Sequence, residues 1–163
     1  MTQADRYMKL AALTKRADTI DSSYHAAFYL LSHDPELWAT ASRYVTVDGI
    51  GFTGLKRATL DFDERTRQVV DIAHSLFSWS SKCSATPFDI SRLGYPYMEL
   101  VCNAFYIAAG EVQVITQEQD GKVKMALDNS HYQNTKRVYR QFERLQDAMT
   151  ADIAPDEAAE PER

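Results

Sequence analysis

The segment 96–109 constrains the fold most, because it has the length of a helix and is apolar on almost every side. Gly110 follows it as a suitable C-terminal stop, since glycine adopts the left-handed conformation without strain. A helix that lacks a polar face is enclosed by other elements. The sequence therefore predicts a bundle around this central helix, with Leu100, Phe105 and Ile107 shielded from water.

Helix start signals recur along most of the remaining chain. A first helix is expected over residues 4–17, and further helices begin near the caps Asp21 or Ser22, Asp34, Asp61, Thr86 and Asp128, Asn129 or Ser130. Asp61 and Glu64 have the spacing of a capping box. Together with the central helix these signals predict a mostly α fold, a compact bundle of about seven helices.

The residues between 112 and 127 alternate between apolar and polar side chains, with Asp120-Gly121 in the middle. This pattern predicts a small β-hairpin, and a continued helix is the alternative. The last helix, through Met149, has its apolar residues on one stripe that we expect to face inward: Val138, Phe142, Leu145 and Met149.

The net charge of -5 is unevenly distributed along the 163 residues. Residues 150–163 hold five acidic residues and Arg163, so the rest of the chain carries a charge of only -1. The length suits a single domain, which we place at 1–149. The acidic end, with two prolines and few large apolar residues, is predicted to be a disordered tail. It either solubilises the protein or attracts a basic partner.

Composition and spacing exclude several classes of protein. Two cysteines, Cys83 and Cys102, are too few for a disulfide framework, and four scattered histidines without CxxC or HExxH motifs predict no metal and no cofactor. The N-terminus lacks a signal-peptide core and the longest apolar segment is too short to cross a bilayer, so we expect a soluble, cytoplasmic protein that does not contact a membrane.

Two short segments have a chemical and a structural interpretation. Residues 47–54 contain glycines in a G-x-G-x-x-G order, but no clear strand precedes them, so a connection between helices is favoured over a phosphate-binding loop. The serines of residues 78–84 lack a nucleophile-elbow motif, so we expect a loop whose hydroxyls bond to nearby backbone.

Glu99 and Asn103 lie one turn apart inside the apolar helix. A buried carboxylate needs a partner or a raised pKa. The structural interpretation is a hydrogen-bonded link that fixes the helix register, and the catalytic one is a general base. In the catalytic case an unrecognised site, most simply of a hydrolase, would lie around Glu99, His74 and His25. The absence of a catalytic motif favours a protein that is not an enzyme.

The basic and aromatic residues indicate what the surface binds. The 18 lysines and arginines are dispersed, and a body charge of -1 argues against direct binding of nucleic acid. Lys136, Arg137, Arg140 and Arg144 are more simply a solvated helix face. Tyrosine and tryptophan dominate binding hot spots. We therefore expect a protein-binding surface, including homodimerisation, among Tyr95, Tyr97, Tyr132, Tyr139, Trp79 and Arg140.

The segments 21–31 and 66–77, with Tyr24-His25, Val69-Val70 and Leu76-Phe77, are similar to the first two helices of a family of small helical proteins of unknown function. That family occurs in Gram-positive bacteria and their mobile elements. The resemblance implies a helical fold and a mobile-element context. By analogy, it suggests a small protein that acts by protein–protein binding, as an inhibitor of a nuclease or defence complex of the anti-CRISPR kind.

Overall fold

The protein, seen in a computed structural model that describes residues 1–14 and 20–151, is mostly helical with two small antiparallel hairpins. The predicted fold class is confirmed, and the described residues form eight helices. The elements in chain order are α1 (Gln3–Leu13), α2 (Ser22–Leu31), α3 (Pro35–Ala41), β1 (Val45–Thr46), β2 (Gly49–Ile50), α4 (Phe52–Ala58), α5 (Glu64–Phe77), α6 (Pro87–Ser91), α7 (Tyr97–Ala108), β3 (Gln113–Gln119), β4 (Lys122–Asp128) and α8 (Ser130–Ala151).

The chain divides into two units, Met1–Asp128 and Asn129–Arg163. The first unit contains α1 to α7 and both hairpins, and the described part of the second unit is α8. The single domain over 1–149 stays a prediction. Of the acidic tail, residues 150 and 151 belong to α8, and residues 152–163 lie outside the described part of the chain.

Helix α2 lies at the centre of the first unit. It begins as predicted at Asp21, whose carboxylate accepts hydrogen bonds from the backbone N–H groups of Ser23 and Tyr24 at 3.0 and 3.1 Å. Six consecutive residues, 26–31, are buried, and α5 and α7 both pack on this helix. A run of buried residues longer than one turn means that α2 is covered all round over its second half.

Helix α7, expected to be the enclosed helix, has one buried side and one exposed side. Leu100 and Ile107 are buried as predicted, but Phe105 and Tyr106 are 40% and 41% exposed. The prediction is therefore wrong for Phe105. The cause is that α7 covers α2 with one face, while its other face, which includes the exposed Glu99, looks toward solvent.

Most predicted caps are confirmed, and one is displaced. Asp34 accepts from the backbone N–H of Leu37 at 2.8 Å, and Thr86 forms a capping box with Asp89. Asp63, and not Asp61, caps α5, because it directly precedes the first helical residue and its side chain reaches the N–H groups of the first turn.

Helix α4 was not predicted, because its sequence contains a glycine that normally weakens a helix. A Cβ atom built at Gly54 would lie 2.6 Å from the ring of Tyr44, so the glycine allows this ring to lie directly on the helix backbone. The segment 47–54 is a connection, as favoured from the sequence, but it includes the tight turn between β1 and β2 and the first turn of α4.

The predicted hairpin over 112–127 is confirmed as β3 and β4. Val114 pairs with Leu127 and Thr116 with Met125, and the turn residues Asp120 and Gly121 both have positive φ angles. A two-stranded hairpin needs support to be stable. Strand β4 contacts α1, and one face of the hairpin is partly buried against the core: Val114, Met125 and Leu127.

Helix α8 is 22 residues long and has none of its side chains buried. Its apolar stripe, Val138, Phe142, Leu145 and Met149, is 41–72% exposed. The expectation that these residues face inward is wrong, since α8 has no other described element in its own unit against which to bury them. None of the helices that the structure describes is long and apolar enough to cross a membrane.

Replacement of Phe28 by alanine tests the central position of α2. Phe28 is fully buried between the rings of Tyr7 and Tyr24, with centroid distances of 6.5 and 5.7 Å. Phe28→Ala is expected to lower the free energy of unfolding by about 3–5 kcal/mol, because it leaves a cavity. Urea denaturation measures the loss. The matched control Phe88→Ala, at a 64% exposed position, is expected to change stability by less than about 0.5 kcal/mol. Equal losses for the two variants would contradict the fold.

Candidate functional site

Residues 78–97, which connect α5 to the first residue of α7, carry all three predicted binding residues of the first unit, Trp79, Tyr95 and Tyr97; we call them the aromatic segment. It starts as a loop, as the serine-rich sequence predicts. Ser81 donates to the carbonyl of Ser78 through both its backbone N–H and its hydroxyl, each at 2.9 Å. The hydroxyls of Ser78 and Ser80 lie 3.1 Å apart. These local bonds order the backbone without a helix or strand.

Asp71 of α5 fastens the aromatic segment to the helical body. One of its carboxylate oxygens accepts from the backbone N–H and the hydroxyl of Ser84, at 2.6 and 2.7 Å. The other oxygen forms an ion pair with Lys56 of α4. Burial raises the pKa of Asp71, but the hydrogen bonds from Lys56 and Ser84 outweigh it and bring the pKa down to about 2. The carboxylate therefore stays ionised and joins three parts of the chain.

The aromatic segment then runs back along α5. Ser84, Ala85 and Asp89 line a polar cleft of about 290 Å³ together with side chains of α5: Glu64, Arg67, Gln68 and Asp71. At its end, Tyr97 lies under the guanidinium of Arg65 at 6.0 Å from the ring centre, near the N-terminus of α5. The segment thus extends along α5 from its C-terminal to its N-terminal end.

Three large aromatic side chains of this segment are exposed. Trp79 is 97% exposed, Tyr95 83% and Phe88 64%. Trp79 and Tyr95 were predicted from the sequence, whereas Tyr97 is half-buried and Phe88 was missed. Phe88 lies in a five-residue helix, which is too short for an apolar periodicity to mark it. The guanidinium of Arg92 lies 4.9 Å from the centre of its ring.

The other predicted binding residues lie on α8. Tyr139 is 67% exposed, Arg140 is exposed and Tyr132 is half-buried. Tyr132 and Tyr139 are two turns apart and share one side of the helix. Arg140 belongs with Lys136, Arg137 and Arg144 on the basic side.

His25, a candidate in the enzyme alternative, has structural partners. Its Nδ1 atom shares a hydrogen bond with the hydroxyl of Tyr7, and a further hydrogen bond reaches the backbone of Ile20. Burial lowers the pKa of His25, and burial strongly raises the pKa of Tyr7. Both groups are therefore neutral near pH 7, with the Tyr7 O–H donating to Nδ1. His25 also borders a cleft of about 330 Å³ near Val112 and Val114.

His74 and Glu99 lie in two further environments. The ring of His74 stacks on Phe52 at 4.7 Å, and its buried Nδ1 atom has no hydrogen-bond partner among the residues that the structure describes. Burial lowers the pKa of His74, and the nearby Lys56 adds to this effect. Glu99 is exposed, so the prediction of a buried carboxylate at this position is wrong.

The polar link from α7 to the core is made by Asn103 instead. Its side-chain amide donates to the Tyr29 hydroxyl at 3.2 Å. Within residues 1–14 and 20–151, no hydrogen bond, ion pair or ring contact joins any two of Glu99, His74 and His25. The same residues contain no group of three or more histidine, cysteine or acidic side chains that could hold a metal ion.

Comparisons of the chain with protein-family models, with curated proteins and with solved structures find no match. The resemblance to small helical proteins of Gram-positive bacteria stays a prediction.

The half-buried histidines predict how stability depends on pH. Burial lowers the pKa of His25, His33 and His74 below 6.5, so the unfolded chain takes up protons first as pH falls. Stability is therefore expected to decrease between pH 7.5 and 5.5. Thermal unfolding measures this, and NMR titration of the histidine ring protons measures the pKa values. A melting temperature that is constant or rises on acidification would contradict the assignment.

Removal of the Asp71 carboxylate tests its role as the anchor of the aromatic segment. Asp71→Ala is expected to cost about 1–3 kcal/mol, because the Ser84 and Lys56 donors lose their acceptor. Hydrogen exchange should become at least tenfold faster for the amides of residues 79–86. Asp61→Ala, at an exposed position, is the matched control and should leave exchange unchanged. Unchanged protection in Asp71→Ala would show that other contacts hold the segment.

Proposed function

We propose that this protein acts by binding another protein through the aromatic segment, mainly through Trp79, Phe88 and Tyr95. The observation that carries this proposal is the exposure of Trp79 and Tyr95, at 97% and 83%, in a segment whose backbone is held by hydrogen bonds. Trp and Tyr are enriched at the energetic centre of protein interfaces, where each can contribute 2 kcal/mol or more.

Exposure of these rings is not explained by a lack of room in the core. The first unit fully buries other large side chains, such as Phe28 and Leu30, and leaves three aromatic residues of one short segment in water. Large apolar side chains that are exposed along one segment are typical of an interaction surface. The rings extend along the length of α5, which suits a protein partner better than a small molecule.

The anchored backbone favours binding energetically. Association costs free energy when loops and side chains become ordered. The Ser84 bonds to Asp71 and the Thr86–Asp89 capping box fix the middle of the aromatic segment before any partner arrives. Trp and Tyr side chains have only two rotatable bonds each, so their own ordering costs little.

A nuclease or defence complex is the partner class that the resemblance to mobile-element proteins implies, with the protein as its inhibitor. The alternative function, a hydrolase with a site around Glu99, His74 and His25, has less support because these side chains share no contact in the described chain.

Site-specific photo-crosslinking in the source cells tests the proposal. A benzophenone amino acid at position 79 or 95 is expected to give the same discrete protein adduct, and the same group at the exposed Lys122 of the hairpin should not give it. The double variant Trp79→Ala and Tyr95→Ala should weaken binding of the captured partner by tenfold or more. Absence of an adduct at both positions, or equal adducts at all three, would contradict the proposal.

A further inference from the structure

Helix α8 has an apolar stripe with the spacing of a coiled-coil seam. Val138, Phe142, Leu145 and Met149 follow one another at intervals of four, three and four residues, and each is at least 41% exposed. Alternating intervals of three and four place apolar residues at the a and d positions of a heptad. Such a stripe is buried by a second helix that lies almost parallel to it.

The positions beside the seam carry no charged side chain. Tyr139 and Gln146 lie along one side of it, and Gln141 and Ala148 lie along the other. Charges at these flanking positions normally select the partner of a coiled coil. Neutral flanks allow the seam to meet an identical seam without repulsion between like charges. The same patch can therefore serve both sides of a two-fold symmetric contact.

We propose that α8 pairs with α8 of a second copy of this chain, in an antiparallel arrangement. The seam side chains together with Tyr139 expose roughly 500 Å² in each copy, so that the pair would bury about 1,000 Å², the lower limit for a specific interface. The proposal goes beyond the proposed function, because it concerns the second unit and leaves the aromatic segment of the first unit unoccupied.

The distribution of charge along α8 favours the antiparallel direction. Residues 130–140 carry three basic side chains and no acidic one, whereas residues 141–151 carry Glu143 and Asp147 against Arg144. Residues 152–163 add a further charge of -4. A parallel pair places these acidic ends side by side, while an antiparallel pair places the acidic end of each copy along the basic half of the other.

The antiparallel pair has a definite register. When the two seams are centred on each other, Val138 of one copy meets Met149 of the other, and Phe142 meets Leu145. In this register an a residue always faces a d residue, as antiparallel coiled coils require. Along the axis of the pair, Arg140 is then level with Asp147 of the second copy and Arg144 with Glu143; these side chains face away from the seam, so they attract one another across the pair without forming ion pairs.

Light scattering on the full-length protein tests the self-association. At roughly 100 µM, a concentration suited to a small interface, the expected mass is twice 18.5 kDa. Leu145→Asp is expected to restore the monomer mass with wild-type thermal stability and helix content. The matched control Gln133→Asp, on the side of α8 opposite the seam, should remain a dimer. A monomeric wild-type protein would overturn the proposal, as would a Leu145→Asp variant that loses stability without a change in mass.

Pulsed electron resonance tests the direction of the pair. A nitroxide at Gln133→Cys, in a background of Cys83→Ser and Cys102→Ala, lies about 16 Å from the centre of the seam along the helix axis. Because Gln133 faces away from the seam, the labels of a parallel pair lie about 20–25 Å apart across the two helices, whereas an antiparallel pair adds about 32 Å along the axis and separates them by about 37 Å or more. The shorter distance would overturn the antiparallel pairing. Leu145→Asp should still bind the partner of the aromatic segment, so the two proposals fail independently.

Discussion

The burial of α2 is the constraint on which the rest of the first unit depends. Six consecutive residues of this helix, 26–31, are buried, and this requires other elements to pack on every side of it. Helices α5 and α7 supply most of the cover, and α1 supplies Tyr7, whose ring meets Phe28 edge-on. Each covering helix has a single apolar face, so each leaves a polar or aromatic face toward solvent.

That arrangement explains where polar and ionisable side chains are found. His25 of α2 and His74 of α5 pack with their rings against Tyr7 and Phe52, and burial lowers the pKa of both histidines. Asp71, on the outer face of α5, stays ionised through Lys56 and Ser84 and holds the connection that follows α5. The core thus holds an ordered segment at the surface with Trp79 and Tyr95 exposed. This combination of fixed backbone and exposed rings underlies the proposed function.

The features predicted correctly from the sequence depend on neighbouring residues. The caps Asp21, Asp34 and Thr86 bond to N–H groups two or three residues away, and the hairpin turn needs only Asp120-Gly121. The predictions fail where residues that are distant in the sequence determine the local structure. Gly54 suits a helix only because the ring of Tyr44 lies against it. Phe105 is exposed because it lies on the face of α7 that points away from α2.

The candidate site was predicted only in part, because some of its features depend on neighbouring residues and others on residues distant in the sequence. Trp79 and Tyr95 stand out in the sequence as large aromatic residues outside apolar stripes, so composition was enough to select them. Neither the anchoring of their segment by Asp71, thirteen residues before Ser84, nor the exposure of Phe88 has a local signature. The separation of Glu99, His74 and His25 likewise follows from how the helices pack.

Native-state hydrogen exchange of the full chain measures the central claim most directly. If α2 is the enclosed core on which the surface segments are held, amides of residues 26–31 exchange only through global unfolding, with the highest free energies in the chain. The Ser84 amide is then protected, at a lower free energy, because it opens with the aromatic segment. Exchange of residues 26–31 at a lower free energy than that of α1 or α6 would contradict the account.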